Sequence, residues 1–399
     1  MKKVLIVANF ARFPWEEGNG RFDYIINSLD LEKVEIEFIT SSFFHGEKKQ
    51  RDINDKRLEN LNYKATIIKE PGYNKNVCLK RFYSHRVFSK NVEKYLNTIE
   101  KPDLIYVATP SLDVAEVTAK YAQKNNIKLA IDIQDLWPEA FKMVFNIPFI
   151  SDIIFFPMKL QADKIYERAD YIISVSDTYI NRALKVNKKC TEKIVAYLGT
   201  DLDYFDECKE NSKLKKEENI FEIAYLGTLG NSYDIKNVID AIKILNDSGV
   251  KNLKFSLFGN GPLENQFKDY AKAKNVNCDF TGRLDYETMV ARLCCSDIAI
   301  NPIRKGSAAS IINKVGDYAA AGIPVINTQE SEEYQKLVKD YNIGFNIENG
   351  KPKQMAERIL KLYNDKSLRE KLGKNNRKLA EEKFDRRKSY LPIKKLIEN

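Results

Sequence analysis

The sequence predicts an α/β protein built as two doubly wound domains in tandem. Three observations predict it. The chain has 399 residues, more than one hydrophobic core usually organises. Short β-branched runs alternate with helical patterns, as parallel strands joined by helical crossovers do. That alternation is interrupted once, by a polar stretch at 206–219, and then restarts.

Taken in order, strands are expected at residues 4–8, 34–40, 65–68, 104–107, 129–133, 172–175 and 194–197, with a helix over 112–125 among the crossovers. Most are continuous apolar runs, as strands become when helices cover both faces of a sheet. The first domain is assigned 1–205, the linker falls within 206–219, and the second domain is 220–375. The second domain is expected to hold strands at 223–226, 255–258, 279–281, 298–301 and 325–327, a helix over 235–246, and a GNGP turn at 259–262 leading into a helix to 274. From 365 the chain is rich in Lys, Arg, Glu and Leu and reads as two terminal helices. The last stretch, 376–399, is expected to pack back on the first domain.

Composition narrows the function classes. Hydrophobic residues at 43% and charged residues at 30% give a globular balance rather than a disordered one. The opening MKKVLIVA breaks at Asn9 without a small-residue cleavage site, so it reads as a first strand and not a signal peptide. No apolar run reaches the ~20 residues that cross a bilayer. Six scattered cysteines without C-x-x-C spacing fit free thiols in a reducing cytoplasm, and two histidines leave no histidine-rich metal site. The net charge is +9, but basic residues are interleaved with acidic ones, as in KLKKEE at 213–218. With no zinc-finger, basic-zipper or RNP signature, nucleic acid is not an expected partner.

Ligands of doubly wound sheets sit at the carboxyl ends of strands. The loop NFARFPWEEGNGR at 9–21 ends in Gly18 and Gly20 ahead of a helix, where backbone N–H groups can approach a phosphate or sugar. A surface loop needing glycine for its turns explains it equally well. After the fifth strand, DIQDLWPE at 132–139 places Asp135 and Glu139 around a Trp-Pro step, which suits an acid or base presented to a hydroxyl. Helix capping by Asp135 with Trp137 as packing is the competing account. In the second domain, YLGTLGNSYD at 225–234 is a strand, a glycine turn and a helix start suited to a diphosphate. Arg304 and Lys305 follow another strand and lead through GSAAS at 306–310 to Lys314 and Asp317. A basic pair, a small-residue loop and a helix start make an anion site. Alone, Lys314 and Asp317 read as an i,i+3 surface ion pair. The apolar stretch FNIPFISDIIFFPM at 145–158 fits either a bilayer interface or a buried element.

These residues stand together in an order that resembles a known family. KVGDYAAAGIPVI at 314–326 resembles the K-x-x-E-Y-x-A-x-G-x-P-V-I signature of family 4 retaining glycosyltransferases, which have the GT-B fold. DIQDLWPE at 132–139, LGTD at 198–201, GTLG at 227–230, FGNGP at 258–262 and FTGR at 280–283 follow in the family's order, so the likeness covers nearly the whole chain. It is nearest to members that build capsule, O-antigen and other bacterial surface polysaccharides.

The resemblance implies two Rossmann-like domains with parallel sheets facing an interdomain cleft, the first for the acceptor and the second for the nucleotide-sugar. Asp317 takes the ribose role of the second acid of the family's E-x7-E motif. The first acid's place falls at Ala309, a departure that leaves backbone N–H groups of Ala309, Ser310 and Ile311 to hold phosphate or sugar. The family's basic pair after the first strand of the second domain is missing, and Lys236, Arg304, Lys305 and Lys314 are the available replacements. Gly18, Gly20, Gly227, Gly259 and Arg283 complete the donor side, and Asp135 with Glu139 is the catalytic pair. The implied reaction retains configuration without a metal, fixed cations and helix N-termini stabilising the departing diphosphate. DLD at 201–203 matches a metal-binding D-x-D but lies in the family's G-x-D segment, so neither metal nor other cofactor is expected. The expected partners are a nucleotide-sugar, a UDP-sugar in particular, and a lipid-linked or polysaccharide acceptor. The expected place is the cytoplasm, with peripheral contact on the inner face of the plasma membrane. Competing readings are a GT-B sugar-nucleotide epimerase and, given Ala309, a non-catalytic sugar-nucleotide-binding protein. A nicotinamide dehydrogenase is disfavoured because GTLG lacks the third glycine of that fingerprint.

Overall fold

The computed structural model describes residues 1–16, 20–76, 78–144, 147, 150–307 and 310–399. They form two compact units, Met1–Ala196 with Tyr390–Asn399, and Tyr197–Ser389.

The first unit holds β1 (Lys2–Val7), β2 (Val34–Ser41), a short hairpin of β3 (Phe43–Phe44) and β4 (Lys49–Gln50), β5 (Lys64–Ile68), β6 (Leu104–Thr109), β7 (Lys128–Ile133), β8 (Tyr171–Ser174) and β9 (Glu192–Val195). Its main sheet is parallel, ordered β5-β2-β1-β6-β7-β8-β9. The second unit holds β10 (Phe221–Leu226), β11 (Leu253–Phe258), β12 (Cys278–Gly282), β13 (Ile298–Asn301), β14 (Val325–Asn327) and β15 (Gly344–Asn346), parallel in the order β12-β11-β10-β13-β14-β15. Each sheet winds outward from its first strand and then reverses. The reversal opens a crevice at the carboxyl ends beside that strand, the usual ligand position in such sheets.

Apolar spacing explains why the helices form and where they lie. In helix Ile235–Asp247 the residues Ile235, Val238, Ile239, Ile242 and Leu245 are buried, the i, i+3, i+4, i+7 stripe of one helical face. They join Ile223, Tyr225, Phe255 and Leu257 of β10 and β11 in one core. Each such side chain contributes about 1.5–3 kcal/mol by leaving water.

Three expectations are corrected. The stretch 206–219 is not all linker, because Leu202–Asn211 is a helix whose Leu202, Phe205 and Cys208 are buried. Asp201 caps it by accepting from the Tyr204 N–H, and Arg377 grips Asp206 through two contacts of 2.6 Å. The unit boundary therefore falls at 196/197 rather than after 205. The tail 376–399 does not group as one piece: helix Lys366–Leu379 belongs to the second unit, and Tyr390–Asn399 groups with the first. Backbone proximity holds the former in place, since a Cβ on Gly373 would stand 2.2 Å from the Gly322 carbonyl. Finally, β15 and the β3–β4 hairpin are strands that the sequence pattern did not announce.

Candidate functional site

In the second unit the turns after β10, β11 and β12 stack on one another through glycines. Gly227 (φ 133°) and Gly259 (φ 145°) adopt backbone angles that side chains disfavour. A Cβ on Gly259 would lie 2.1 Å from the Gly227 carbonyl, and one on Gly261 would lie 2.4 Å from that of Leu229. The contact is sealed by Gly227 N–H to Phe258 O and Leu229 N–H to Asn260 O, both 2.9 Å. Gly259 N–H continues to Gly282 O at 2.8 Å. The glycine turns therefore form one rigid shelf.

Lys314 begins helix Lys314–Ala321, and its side chain crosses beneath that shelf. The ammonium is 3.2 Å from the Tyr225 hydroxyl and lies over the rings of Tyr233 at 3.9 Å and Tyr225 at 4.3 Å. A Cβ on Gly227 would sit 2.4 Å from Lys314 Nζ, so a side chain there would push the end of the lysine aside. Lys314 is 8% exposed, and burial drives its pKa well below the ordinary lysine range. Among the described residues no carboxylate pairs with it, and the expected i,i+3 pair with Asp317 is not formed. With burial disfavouring its charged form, an anion arriving beside this amine would favour its protonation.

Asp317, one turn later, faces the other way. It accepts from Thr200 Oγ1 at 3.1 Å and from Tyr286 Oη at 3.2 Å. Burial pushes its carboxyl up to about 6 against the pull of those hydrogen bonds and of Arg386. Gly316 between the two is buried and leaves room for Thr200 Oγ1, 2.8 Å from where its Cβ would be.

Ser310 and Ile311 lie on the approach to this helix, and Ile311 is buried. Their position is set by a ladder the sequence reading missed. Asn301, Asn327 and Asn346 are in register at the ends of β13, β14 and β15. Asn301 donates to Asn327 at 2.9 Å and to Gln329 at 3.2 Å, Asn327 donates to Asn346 at 2.8 Å, and Gln329 donates to the Ser310 carbonyl. Three aligned asparagines at strand ends are visible in the sequence only once register is known. Arg304 and Lys305 are exposed in the loop after β13, whose backbone meets the β10 turn through Asp234 N–H to Pro302 O at 2.7 Å. Arg283 is exposed directly after β12. Lys236 is drawn aside, its ammonium 5.1 Å from the Tyr270 ring centroid. Ala309 and Gly18 lie outside the described residues. The carboxylates of the DLD triplet are engaged, Asp201 as the helix cap and Asp203 with Arg387 at 2.7 Å.

In the first unit, Gly20 caps helix Arg21–Ser28 beneath the Arg12 guanidinium, which comes within 2.4 Å of where a Cβ would be. A side chain at Gly20 would displace the end of Arg12. Asp132, the first acid of DIQD, is structural: it forms a bidentate buried pair with Arg21 (2.7 and 3.0 Å) and accepts from Tyr106 at 2.8 Å. Asp135 is different. It accepts from the Leu136 N–H at 3.0 Å and lies 3.4 Å from the Tyr179 hydroxyl, and burial raises its carboxyl to about 6. The two expected catalytic carboxylates part company here, because Glu139 pairs with Arg182 at 2.6 Å and Arg182 also grips Asp163 at 2.6 Å. That brace holds the start of helix Glu139–Val144 through Oε1, and among the described residues Glu139 Oε2 has no hydrogen-bond partner.

Of the apolar stretch 145–158, residues 145, 146, 148 and 149 lie outside the described residues. Much of the described part is exposed: in helix Ile150–Arg168, Ile153 is 75% and Ile154 63% exposed, with Ile150 and Phe156 above half. Among the described residues no helix is long and apolar enough to cross a membrane.

Two doubly wound units in tandem define the fold class: it is the fold of GT-B glycosyltransferases. Residues 206–379 match the family described as glycosyl transferases group 1. It is 24% identical over 301 residues to the capsular polysaccharide biosynthesis glycosyltransferase CapM of Staphylococcus aureus, covering 71% of this chain and 73% of that one. The curated relatives it matches are 22–25% identical, over 60–75% of their lengths and 64% of the first. Sucrose-phosphate synthase from Thermosynechococcus elongatus superposes with a TM-score of 0.74 at 15% identity, covering 99% of this chain and 98% of the other. Anabaena HepE in complex with UDP gives 0.68 at 13% identity, over 100% and 99%.

Proposed function

We propose that this chain is a retaining, metal-independent glycosyltransferase that moves a sugar from a nucleotide-diphosphate donor, a UDP-sugar, onto a lipid-linked or polysaccharide acceptor in surface-polysaccharide biosynthesis. One observation carries the reading: the Lys314 ammonium, buried under the Gly227 turn between Tyr225 and Tyr233 without a carboxylate. A leaving diphosphate gains negative charge as the glycosidic bond breaks, and a fixed cation in a dry site stabilises that charge without a metal. Asp317 accepts the ribose hydroxyls, and the chain around Ser310 and Ile311 holds the phosphate or sugar. Asp135, raised to about 6, orients and deprotonates the acceptor hydroxyl. Likeness to CapM supports a polysaccharide acceptor, and the fold shared with HepE, which was solved with UDP, supports a uridine donor.

The exposed isoleucines of helix Ile150–Arg168 and the net charge of +9 support peripheral contact with an anionic bilayer on its cytoplasmic face. The deciding experiment titrates UDP-sugars by thermal shift and then assays transfer to a prenyl-linked acceptor. A donor that stabilises the wild type but not Lys314→Met, and is turned over only with acceptor, is the expected result. Conversion of the donor without acceptor would instead identify an epimerase.

A further inference from the structure

Among the described residues, the first unit contains a second pair of cations with no carboxylate in ion-pair contact. Lys48 lies in the turn between β3 and β4, its ammonium 3.0 Å from His45 Nδ1 and 5.3 Å from the Tyr73 ring centroid. Arg81, in helix Leu79–Leu96, lies over the same ring at 5.6 Å, over Phe10 at 5.4 Å and over Trp137 at 4.8 Å. Its Nη1 donates to the Asn76 carbonyl at 2.7 Å, and its buried Nε has no acceptor. Among the described residues neither cation forms an ion pair. Each instead depresses its neighbours: Lys48 is pushed down to about 8, by burial first and then by Arg81. His45 and His85 are neutral, both held down to about 3 by burial and the adjacent cations.

The nearest acids, Glu70 and Asp135, feel the Arg81 charge but form no ion pair with it. Glu70 is occupied by the hydroxyls of Ser41 and Ser84, and Asp135 by Leu136 N–H and Tyr179. A separate observation concerns Lys48 itself. Its φ is +58°, and the other five described non-glycine residues with positive φ are all asparagine. A left-handed turn favours glycine or asparagine, so the turn keeps a lysine at a conformational cost.

We infer that Lys48 and Arg81, walled by Phe10, Tyr73 and Trp137, form a second oxyanion site that holds the negative group of an anionic acceptor. The inference rests on the glycosyltransferase reading only for the word acceptor. Two positive charges sharing one aromatic floor repel each other until an anion sits between them, and a phosphate or carboxylate is the group that two such donors bind. The aromatic walls exclude water and offer faces for a sugar ring beside the anion. In the lipid-linked case the group is the diphosphate, and in the polysaccharide case a uronic carboxylate.

The test uses the full chain with saturating UDP and follows the ring resonances of the two histidines by NMR, since both flank this site. Inorganic pyrophosphate is expected to shift both resonances, whereas UDP alone leaves them in place. Lys48→Gln and Arg81→Gln should each weaken that response at least tenfold, with unchanged melting temperature for Lys48→Gln, which sits on a turn. Lys314→Met should leave it intact. Displacement of pyrophosphate by a short prenyl diphosphate assigns a lipid linker, and displacement by methyl glucuronide assigns an acidic polysaccharide. Histidine resonances indifferent to pyrophosphate, or equally responsive in both variants, overturn the site. So does displacement by neither compound. UDP binding is read separately by thermal shift, so loss of the donor reading and loss of this site give different results.

Discussion

Burial disfavours the charged form of Lys314, and of Asp317 a turn later. For the lysine, an isosteric apolar replacement relieves the free protein and disables the complex. Lys314→Met is expected to raise the melting temperature by a few degrees, from about 1–2 kcal/mol of relieved desolvation. It should weaken UDP by roughly 10²-fold through loss of a charge-assisted contact. Thermal unfolding with and without UDP measures both. For Asp317 the sign follows from its raised pKa of about 6. The neutral form suits the folded interior, so this group's contribution to stability is full below about pH 4 and is lost as pH rises through 6. Ribose recognition needs the ionised form, so UDP affinity should fall as pH drops from 7 to 5, and Asp317→Asn should flatten that profile. Asp135 titrates in the same range but acts on the acceptor. Asp135→Ala is expected to lower kcat by roughly 10²–10³ while leaving the donor's dissociation constant within about twofold. Unchanged kcat would remove it from the mechanism.

At the level of elements, the shelf of glycine turns is the feature least tolerant of change. Gly259→Ala asks a side chain to adopt φ 145° with its Cβ 2.1 Å from a carbonyl oxygen. A cost of about 2–4 kcal/mol is expected, together with lost UDP binding as the β10 and β11 turns separate. Circular dichroism melts and UDP titration of that variant test it. The same elements show what a sequence discloses. Strands such as 104–107 and 129–133 were legible because a sheet covered on both faces needs uninterrupted apolar residues. Helix Leu202–Asn211 was not, because its buried face consists of only Leu202, Phe205 and Cys208 among charged neighbours. The glycine-rich motifs and Lys314–Asp317 were legible as anion-site chemistry. Their cage was not: Tyr225 and Tyr233 are aromatic residues like any others until the chain folds the lysine between them. Glu139 looked equivalent to Asp135 in sequence, and only the Arg182 brace tells them apart. Lys48 and Arg81 are 33 positions apart and carry no motif, so nothing local couples them.

Across the whole molecule, charge and exposed apolar surface are separate levers on membrane contact. Ile153→Glu with Ile154→Glu should abolish flotation with vesicles containing anionic lipid and leave the melting temperature within about a degree, since both side chains face solvent. Retained flotation would assign the contact to another surface. The path of the backbone has a consequence of a different kind. The sheet of the first unit is complete by residue 195, yet Tyr390, Ile393 and Ile397 belong to that unit's core, and the whole second unit lies between them in the chain. During synthesis, the early-made half must therefore wait, with an apolar seam uncovered, while nearly two hundred further residues emerge from the ribosome. The second unit, being continuous, has no such delay and is the piece to express alone; a stop codon shortly before Tyr390 harms the half made first.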